Sequence, residues 1–394
     1  MRRVAVVTGT RADLGHLHWI MHEIRADPGL QLQVIATGMH LSPEFGRTET
    51  EITAAGFQID ARVEMLLSGD TPVSIAKSMG LGLIGFADAL DRLRPDLLLV
   101  LGDRFEALVA VQAALPARIP VAHVHGGEAS EGVMDEAVRH AMTKMAQLHF
   151  TAAEPYRQRV IQLGEDPARV FNVGAPGLDH LTRTPLLDRD AWMAATGFRL
   201  GPTNLLVTYH PVTLEAQGPE TAVAALFEAL DRFPDAHILF TRANADTAGR
   251  VINRLIDDYA SHRSGAQVVA SLGTVRYLSA LRFMDAMVGN SSSALIEAPC
   301  FGLPAVNLGD RQQGRLRAAS VIDAPEDSAA IAQALHRALA PGFRAGLQDM
   351  IPPYGRGGAA RAIARILANF PLEHILKKRF FDLPVPRQTR GKRS

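Results

Sequence analysis

Short apolar runs alternate with helical stretches along the first 175 residues. Strands are expected at residues 3–8, 32–38, 97–101, 121–124, 148–151 and 170–173, most of them closed by a glycine or a polar residue. Between them apolar positions recur with a period near 3.6, as in residues 17–26, which is typical of amphipathic helices. Wholly apolar strands that alternate with helices favour a parallel sheet covered on both faces. Residues 1–175 are therefore predicted to form a Rossmann-like N-terminal domain.

A second series of apolar runs predicts a second domain. Strands are expected near residues 204–209, 236–241, 267–272, 285–289 and 303–308. Prolines at 176, 185 and 202 interrupt the pattern before this series, so residues 176–202 are predicted to be an interdomain linker. Residues 203–370 should form a second Rossmann-like domain, with a last helix able to cross back to the first. The basic, aperiodic residues 371–394 are expected to be a disordered tail.

The composition predicts a globular cytoplasmic protein. Hydrophobic residues make up 47% of the chain, and 41 basic residues balance 41 acidic ones, so charge favours neither nucleic acid nor a membrane as a partner. The single cysteine, Cys300, excludes an internal disulfide and a cysteine-built metal site. The apolar segment near the N-terminus is too short for a secretory signal, and no window reads as a membrane span.

Acidic residues and histidines concentrate between residues 97 and 140, around two predicted strands. Asp103 follows the run LLLVLG, and HGGE, which contains His125 and Glu128, follows the next strand. Asp135 comes a few residues later. Ligands of parallel sheets bind at the carboxyl ends of the strands, where the two glycines would let the backbone approach a ligand closely. Solvated surface charge is the alternative, but the placement at strand ends favours an acid/base centre.

The stretch GNSSSALIE, residues 289–297, follows a predicted strand and opens a predicted helix. Free N–H groups, hydroxyls and the helix dipole make such a terminus an anion site, so Ser291 and Ser292 are candidate diphosphate binders. Glu297 is a candidate partner for ribose hydroxyls. A serine N-cap without a ligand is the simpler alternative. Four further residues at strand ends or first turns could reach the same ligand: His210, Arg242, Asn244 and Arg11.

Seven motifs in order resemble the UDP-N-acetylglucosamine 2-epimerase family. They are GTRAD, LGDRFEA, HVHGGE, MDEAVRHAMTK, YHPVT, GNSSSALIEAP and NLGDRQQGR, and they cover nearly everything before the basic tail. The likeness is greater to the hydrolysing branch of sialic and legionaminic acid synthesis than to the non-hydrolysing branch. It implies an α/β fold of the GT-B type, with two Rossmann-like domains facing a cleft. It also implies UDP-binding roles for Ser291, Ser292, Glu297, His210, Asn244 and Arg311, with Arg11 and Arg104 contributing from the N-terminal side.

The resemblance implies that Asp103 and Asp135 are catalytic. A third acid of the sialic-acid branch is replaced here by His125, so that role passes to His125 or Glu128, or the sugar differs. The implied reaction converts UDP-N-acetylglucosamine to UDP and N-acetylmannosamine through a 2-acetamidoglucal, without a metal or cofactor. UDP-2,4-diacetamido-2,4,6-trideoxy-glucose is the alternative substrate. The family also implies a homo-oligomer, a dimer or a tetramer.

Three other functions remain open at this point. A GT-B glycosyltransferase has the same two-domain architecture, since fold does not fix function. A non-hydrolysing 2-epimerase would retain UDP on the product. A nucleotide-sugar sensor would not need the acids, and their concentration at two strand ends argues against it. Gly80, Gly82 and Gly85 have the spacing of a dinucleotide fingerprint, but no predicted strand precedes them.

Overall fold

The structure is a computed structural model that describes residues 1–69, 71–129, 134–211, 219–243 and 247–383. The chain forms two compact units. The first consists of Met1–Gly177 and the chain from Gly358 onward, and the second of Leu178–Gly357.

A parallel sheet of seven strands, counted over the described residues, forms the centre of the first unit, in the order β3-β2-β1-β4-β5-β6-β7. The strands are β1 Arg2–Thr8, β2 Leu30–Thr37, β3 Ala61–Val63, β4 Leu97–Leu101, β5 Val121–Val124, β6 Leu148–Thr151 and β7 Val170–Asn172. The helices are α1 Arg11–Ala26, α2 Glu49–Ala54, α3 Pro72–Leu93, α4 Phe105–Ala114, α5 Met134–Met145 and α6 Glu154–Gln162. Strand β3 was not predicted, because three residues are too few for a hydrophobic pattern.

The central strand β4 is apolar throughout because both of its faces are buried. Leu97, Leu99 and Leu101 pack on one face of the sheet with residues of α1. Leu98 and Val100 pack on the other face with residues of α3, α4 and α5. Both faces are therefore covered, as the apolar run predicted.

The second unit contains a six-stranded parallel sheet within the described residues, in the order β10-β9-β8-β11-β12-β13. Its strands are β8 Thr203–Thr208, β9 Ala236–Thr241, β10 Ala266–Val269, β11 Ala286–Gly289, β12 Ala305–Leu308 and β13 Val321–Ala324. Its helices are α7 Asp179–Arg183, α8 Arg189–Thr196, α9 Pro219–Leu230, α10 Thr247–His262, α11 Gly273–Ala280, α12 Ser293–Ile296, α13 Ser328–Leu339 and α14 Pro341–Ala345. The predicted α/β fold with two Rossmann-like parallel sheets is confirmed.

Most of the predicted linker is an integral part of the second unit. Helices α7 and α8 lie within it, and Trp192 of α8 is fully buried. The Trp192 ring packs 5.8 Å from the ring of Phe198, and its Nε1 donates to the carbonyl of Arg276 at 2.8 Å. The prolines interrupt the strand pattern here without making the segment a free linker.

The chain returns to the first unit after Gly357. Helix α15, Ala359–Asn369, packs against α1, with Ala360, Ile363 and Leu367 in the core. The following segment stays on this unit, since Ile375 is buried and its carbonyl accepts from Arg169 at 2.9 Å. The expectation of a disordered tail is therefore wrong for residues 371–383, while residues 384–394 lie outside the described residues.

Lys378 holds the C-terminal segment through a buried carboxylate. Its ammonium lies 2.9 Å from Glu165 Oε2 and donates to the carbonyls of Lys144 and Ala146. Glu165 is fully buried and also accepts from Lys144 Nζ at 2.6 Å and from His149 Nε2 at 3.0 Å. Burial alone would raise the pKa of Glu165, but these donors outweigh it and hold the pKa at about 2. The basic charge that suggested a solvated tail instead compensates a buried acid.

Helix α3 contains an apolar stretch with a mean hydropathy of 1.4 and is long enough to cross a membrane. The expectation that no part of the chain resembles a membrane span is therefore wrong for this helix. Helices in the core of a protein that does not cross a membrane can have the same length and apolar composition. One face, with Gly82, Phe86 and Leu90, is buried in the first unit. The opposite face leaves apolar side chains exposed, notably Leu81 and Ile84.

The Lys378→Met variant should lower the stability of the protein by about 1–3 kcal/mol, because buried Glu165 loses one of its cationic partners. The loss should be present at neutral pH and should shrink as the pH falls from about 4.5 toward 2, where Glu165 becomes protonated in the folded state as well. Urea midpoints at several pH values measure it. Lys377→Met is the matched control, since Lys377 is exposed. Equal midpoints for the two variants would show that the segment does not stabilise the fold.

Candidate active site

Asp103 stands where a fixed turn follows strand β4. Gly102 has a left-handed backbone, with a φ of 75°, which turns the chain away from the sheet. Buried His123 of β5 donates from Nε2 to the Gly102 carbonyl at 2.7 Å. Burial lowers the pKa of His123 to about 3, so the ring is neutral and serves as a hydrogen-bonding group rather than a charge. The turn that presents Asp103 is thus held from the neighbouring strand.

Arg139 connects Asp103 to helix α5. Its side chain is only 3% exposed, and its guanidinium is ion-paired with the Asp103 carboxylate and, at 3.2 Å, with Glu136. The buried ion pair fixes the position of the Asp103 carboxylate. Sequence reasoning did not assign Arg139 a role, although it belongs to the quoted run MDEAVRHAMTK.

Asp135 lies in the first turn of α5 and has a different electrostatic environment. Burial raises its pKa, and the nearby charge of Asp103 raises it further, although Arg104 and Arg139 partly oppose the shift. A carboxyl group held in an ion pair and a second one with a raised pKa are suited to act as a base and an acid. The structure therefore brings together the two acids that the sequence had selected.

Arg104 lies among three carboxyl groups. It is paired bidentately with buried Glu106, from Nη2 to Oε1 at 2.7 Å and from Nε to Oε2 at 3.2 Å. Burial raises the pKa of Asp13, and the positive charge of Arg104 opposes the shift. Asp13 was quoted in the GTRAD motif without a role, and its burial beside Arg104 makes it a further candidate. Arg104 also interacts electrostatically with Asp135.

His125 and Glu128 form a hydrogen-bonded pair. His125 has a φ of 65°, and its Nδ1 contacts the Glu128 carboxylate. Its Nε2 is buried and has no hydrogen-bond partner among the described residues. A histidine oriented by a carboxylate is a usual arrangement for proton transfer. His125 and Glu128, the two alternatives for the third acid/base residue, are therefore hydrogen-bonded to each other.

The two glycines of HGGE are needed for packing within the protein, whereas a close approach to a ligand was expected. Gly127 has a φ of 80°, and a Cβ there would overlap the carbonyl oxygen of Tyr156 in α6. A Cβ on Gly126 would lie 3.1 Å from the His123 ring. Close packing against the protein's own α6 and β5 accounts for both glycines, so their presence does not indicate an approach to a ligand.

Arg11 is exposed and forms an ion pair with Glu51 of α2, from Nε to Oε1 at 2.9 Å. The structure therefore gives Arg11 a partner other than the acids around Asp103. Its expected contact with phosphate remains a prediction.

Strand ends also carry the candidate residues of the second unit. Gly289 has a φ of 132°, and a Cβ there would overlap the Thr208 carbonyl oxygen. This close approach places Asn290 beside His210, and the two exchange hydrogen bonds: the His210 N–H donates to Oδ1 at 2.7 Å and Nδ2 donates to the His210 carbonyl at 2.8 Å. Fully buried Asn290 thus fixes the loop that carries His210.

Arg311 is brought to the same loop. Its Nη1 donates to the Asn290 carbonyl at 3.0 Å, and Gln312 Nε2 donates to the same oxygen at 2.8 Å. Asn290 and Gln312 were not selected from the sequence. Their signal was their place inside the motifs GNSSSALIEAP and NLGDRQQGR.

The serine motif differs from the expected helix N-terminus. Helix α12 has only four residues, with Ser292 at its N-cap, so the expected contribution of a helix dipole is small. Ser291 Oγ accepts from the N–H of Ser293 at 3.3 Å. Glu297 follows the helix, and burial raises its pKa. Its Oε2 has no hydrogen-bond partner among the described residues.

The remaining two candidates of the second unit are Arg242 and Asn244. Arg242 is ion-paired with Asp257 of α10 at 2.8 Å. Asn244 lies outside the described residues. No group of three or more His, Cys, Asp or Glu side chains in the described ranges is arranged to hold a metal ion.

Comparison with known proteins identifies relatives over almost the whole chain. Residues 22–368 match the model of the UDP-N-acetylglucosamine 2-epimerase family. A Campylobacter jejuni protein named GDP/UDP-N,N'-diacetylbacillosamine 2-epimerase (hydrolyzing) is 38% identical over 384 residues, which is 97% of this chain and 99% of the relative. A Legionella pneumophila UDP-N,N'-diacetylbacillosamine 2-epimerase (hydrolyzing) is 36% identical, over 96% and 99%. Polysialic acid biosynthesis protein P7 of Escherichia coli is 33% identical, over 98% of each chain.

Solved structures share the fold. UDP-GlcNAc 2-epimerase from Neisseria meningitidis, solved with UDP-GlcNAc, matches with a TM-score of 0.72 and 18% identity, over 93% of this chain and 99% of that one. S. aureus MnaA, solved with UDP, matches with a TM-score of 0.77 and 16% identity, over 98% and 100%.

The Arg139→Lys variant should lower kcat for UDP release from UDP-N-acetylglucosamine, the reaction implied by the sequence, by about 10–100-fold. A lysine keeps the charge but cannot form the fork that holds Asp103 and Glu136 together, so Asp103 is less well placed. KM should change only a few-fold. Steady-state kinetics measure both constants. Arg157→Lys is the control, since Arg157 is a partly buried arginine of the same unit that donates to the carbonyls of Val170 and Pro167. A KM effect alone, or a kcat loss shared with the control, would contradict a positioning role.

Proposed function

The chain belongs to the UDP-N-acetylglucosamine 2-epimerase family, and from this premise we propose that it is a hydrolysing 2-epimerase that releases UDP and a free 2-epimeric sugar from a UDP-2-acetamido sugar. The observation that carries the proposal is the placement of Asp103, which is ion-paired with Arg139, near enough to Asp135 for its charge to raise the pKa of that residue. The similarity to relatives named as hydrolyzing epimerases supports the same reaction.

The reaction begins with an elimination. A carboxylate removes the proton from C2 of the sugar, the electron pair forms the C1–C2 double bond, and the bond from C1 to the UDP oxygen breaks with its pair leaving on UDP. We assign the base role to Asp103, because the ion pair with Arg139 fixes the position of its carboxylate after strand β4. Arg104, Arg11, Ser291 and Ser292 are the proposed stabilisers of the departing diphosphate, with His210, Arg242, Asn244, Glu297 and Arg311 contributing to UDP binding.

The second step is hydration of the 2-acetamidoglucal. Water adds its oxygen to C1, and a proton reaches C2 from the face opposite to the one that lost it, which inverts C2. A raised pKa suits Asp135 to deliver that proton near neutral pH. The His125–Glu128 pair is the proposed group that activates the water, with Glu128 orienting the ring and stabilising the imidazolium.

Two substrates are compatible with this chemistry. UDP-N-acetylglucosamine would yield N-acetylmannosamine, and UDP-2,4-diacetamido-2,4,6-trideoxy-glucose would yield the corresponding 2,4-diacetamido sugar. The relatives at 38% and 36% identity are named for diacetylbacillosamine, which is the second of these sugars. Either product suits nonulosonate synthesis, and the relative from polysialic acid biosynthesis supports such a pathway. We propose a cytoplasmic location with it.

Self-association is part of the same proposal. Helix α3 leaves an apolar stripe exposed that includes Val73, Leu83 and Ile84. Exposed Lys77 and Asp88 lie on either side of the centre of the helix. An antiparallel contact between two copies would cover the stripe and bring opposite charges together, as a two-fold interface requires. This arrangement favours a dimer or a dimer of dimers.

Incubation of the protein with each UDP-sugar alone should release UDP and a free 2-epimeric sugar, detected by proton NMR. Release of UDP only after an acceptor is added would indicate a glycosyltransferase. A 2-epimer that still carries UDP would indicate the non-hydrolysing reaction. Binding of the UDP-sugar without any conversion would indicate a sensor.

The Asp103→Asn variant should lower the rate of UDP release by about 100–10,000-fold, the usual contribution of a positioned base. UDP affinity, measured by calorimetry, should stay within a few-fold. Asp96→Asn is the control, because Asp96 is also ion-paired with an arginine, Arg3, but lies before strand β4 rather than after it. Loss of UDP binding in Asp103→Asn would instead make Asp103 a structural residue.

A further inference from the structure

A cavity of about 550 Å³ in the first unit shares only Arg104 with the chemistry described above. One wall is the segment around the short 3₁₀ helix Pro43–Phe45, and the other comes from residues 66–69 and α3. Six apolar side chains line it: Met39, Phe45, Leu66, Leu67, Ile75 and Phe105. We call it the Phe45 cavity.

The Phe45 cavity begins next to the acid centre. Asp103 is directly followed in the chain by Arg104, Phe105 and Glu106, and these three line the cavity. Consecutive Cα atoms are about 3.8 Å apart, so a sugar whose C2 lies at Asp103 is close to this opening. Arg104 belongs to both regions, because it also interacts with Asp13 and Asp135.

The charge of the cavity excludes a diphosphate as its occupant. Its charged lining residues are Glu44, Arg104 and Glu106. Glu106 compensates the charge of Arg104 inside the cavity, and Glu44 leaves the lining with a net negative charge. The proposed contact of Arg104 with the diphosphate therefore lies outside the cavity, where Arg104 also interacts with Asp135. A diphosphate would be repelled, whereas a neutral group would not. The cavity therefore suits the sugar end of a nucleotide sugar.

Apolar side chains at the rim remain partly exposed to water. Phe45 is 48% exposed and Leu67 is 40% exposed. Apolar side chains of this size around a concave site are typical of a ligand-binding groove. Hydroxyls of Ser42, Ser68 and Ser78 lie among them and offer hydrogen bonds. An occupant should therefore combine methyl groups with a neutral polar group.

We infer that the Phe45 cavity receives the C4 and C6 substituents of the sugar and selects a 2,4-diacetamido-2,4,6-trideoxy substrate. This inference rests on the proposed function and names the substrate class of the same site. C4 and C6 lie on the side of the ring away from C2, so they can enter the cavity while C2 remains at Asp103. The C6 methyl and the acetyl methyl contact the apolar walls, and the C4 amide meets the serine hydroxyls.

UDP-N-acetylglucosamine fits this cavity less well. It carries a hydroxyl at C4 and another at C6, so it lacks the C6 methyl and the C4 acetyl methyl. Its C6 hydroxyl would lose water on entering an apolar wall, and the space left at C4 would stay unfilled. The protein should therefore discriminate between the two substrates at positions remote from the reacting carbons.

The Phe45→Ala variant tests the inference through the ratio of kcat/KM for the diacetamido substrate to kcat/KM for UDP-N-acetylglucosamine. The ratio in the wild-type protein should exceed one, and it should fall about tenfold or more in the variant, because an apolar contact made by only one substrate is lost. Phe45→Leu should retain most of the preference. Leu67→Ala should lower the ratio in the same direction.

Controls separate this effect from general damage. Leu115→Ala truncates an apolar side chain that is also exposed, at the far end of α4, and should leave the ratio unchanged. The inhibition constant for UDP should stay within about twofold in each variant. An equal loss on both substrates, or an unchanged ratio in both Phe45→Ala and Leu67→Ala, would overturn the assignment.

Kinetic measurements on the wild-type protein with both substrates distinguish failure of this inference from failure of the proposed function. Hydrolysis of UDP-N-acetylglucosamine at an equal or higher kcat/KM would overturn the role of the Phe45 cavity and leave the hydrolysing epimerase intact. Release of UDP from neither sugar would overturn both.

Discussion

The acid centre depends on the ion pair between Arg139 and Asp103. An arginine that is almost fully buried must be compensated, and Asp103 and Glu136 provide the negative charge. The nearby charge of Asp103 adds to burial in raising the pKa of Asp135. One buried cation thereby places two carboxyl groups of similar chemistry in different electrostatic environments. Neutral His123 adds the second constraint, because it holds the turn before Asp103 without adding charge.

Close backbone approach positions the loops in both units. Gly127 allows HGGE to pack on α6, and Gly289 allows the loop after β11 to pack on the end of β8. In each case a side chain would overlap a carbonyl oxygen, so the glycine is needed for packing within the protein. What these loops then present, the His125–Glu128 pair in one unit and His210 with Asn290 in the other, follows from that packing.

The chain beyond Gly357 shows how charge can mislead when it is read without contacts. A basic, aperiodic segment resembles a solvated tail, yet Lys378 meets a fully buried carboxylate whose charge also requires Lys144 and His149. Residues 358–383 belong to the unit that contains the acid centre, although the whole second unit, Leu178–Gly357, separates them from it in sequence. The exposed face of α3 and the rim of the Phe45 cavity are features of the same unit that periodicity alone did not reveal.

The sequence by itself determined the two parallel sheets, because wholly apolar strands alternating with amphipathic helices have few other solutions. The ends of two apolar runs located Asp103 and the HGGE segment, since the carboxyl end of a parallel strand is predictable from where the apolar run stops. The resemblance to the family then singled out Asp103, Asp135, His125 and Glu128. Only the tertiary structure decided which partners these residues have. Arg139, Asp13, Asn290 and Gln312 act through contacts with residues distant in the chain, and no local pattern marks such contacts. Burial, which raises the pKa of Asp135, is likewise a property of the folded molecule.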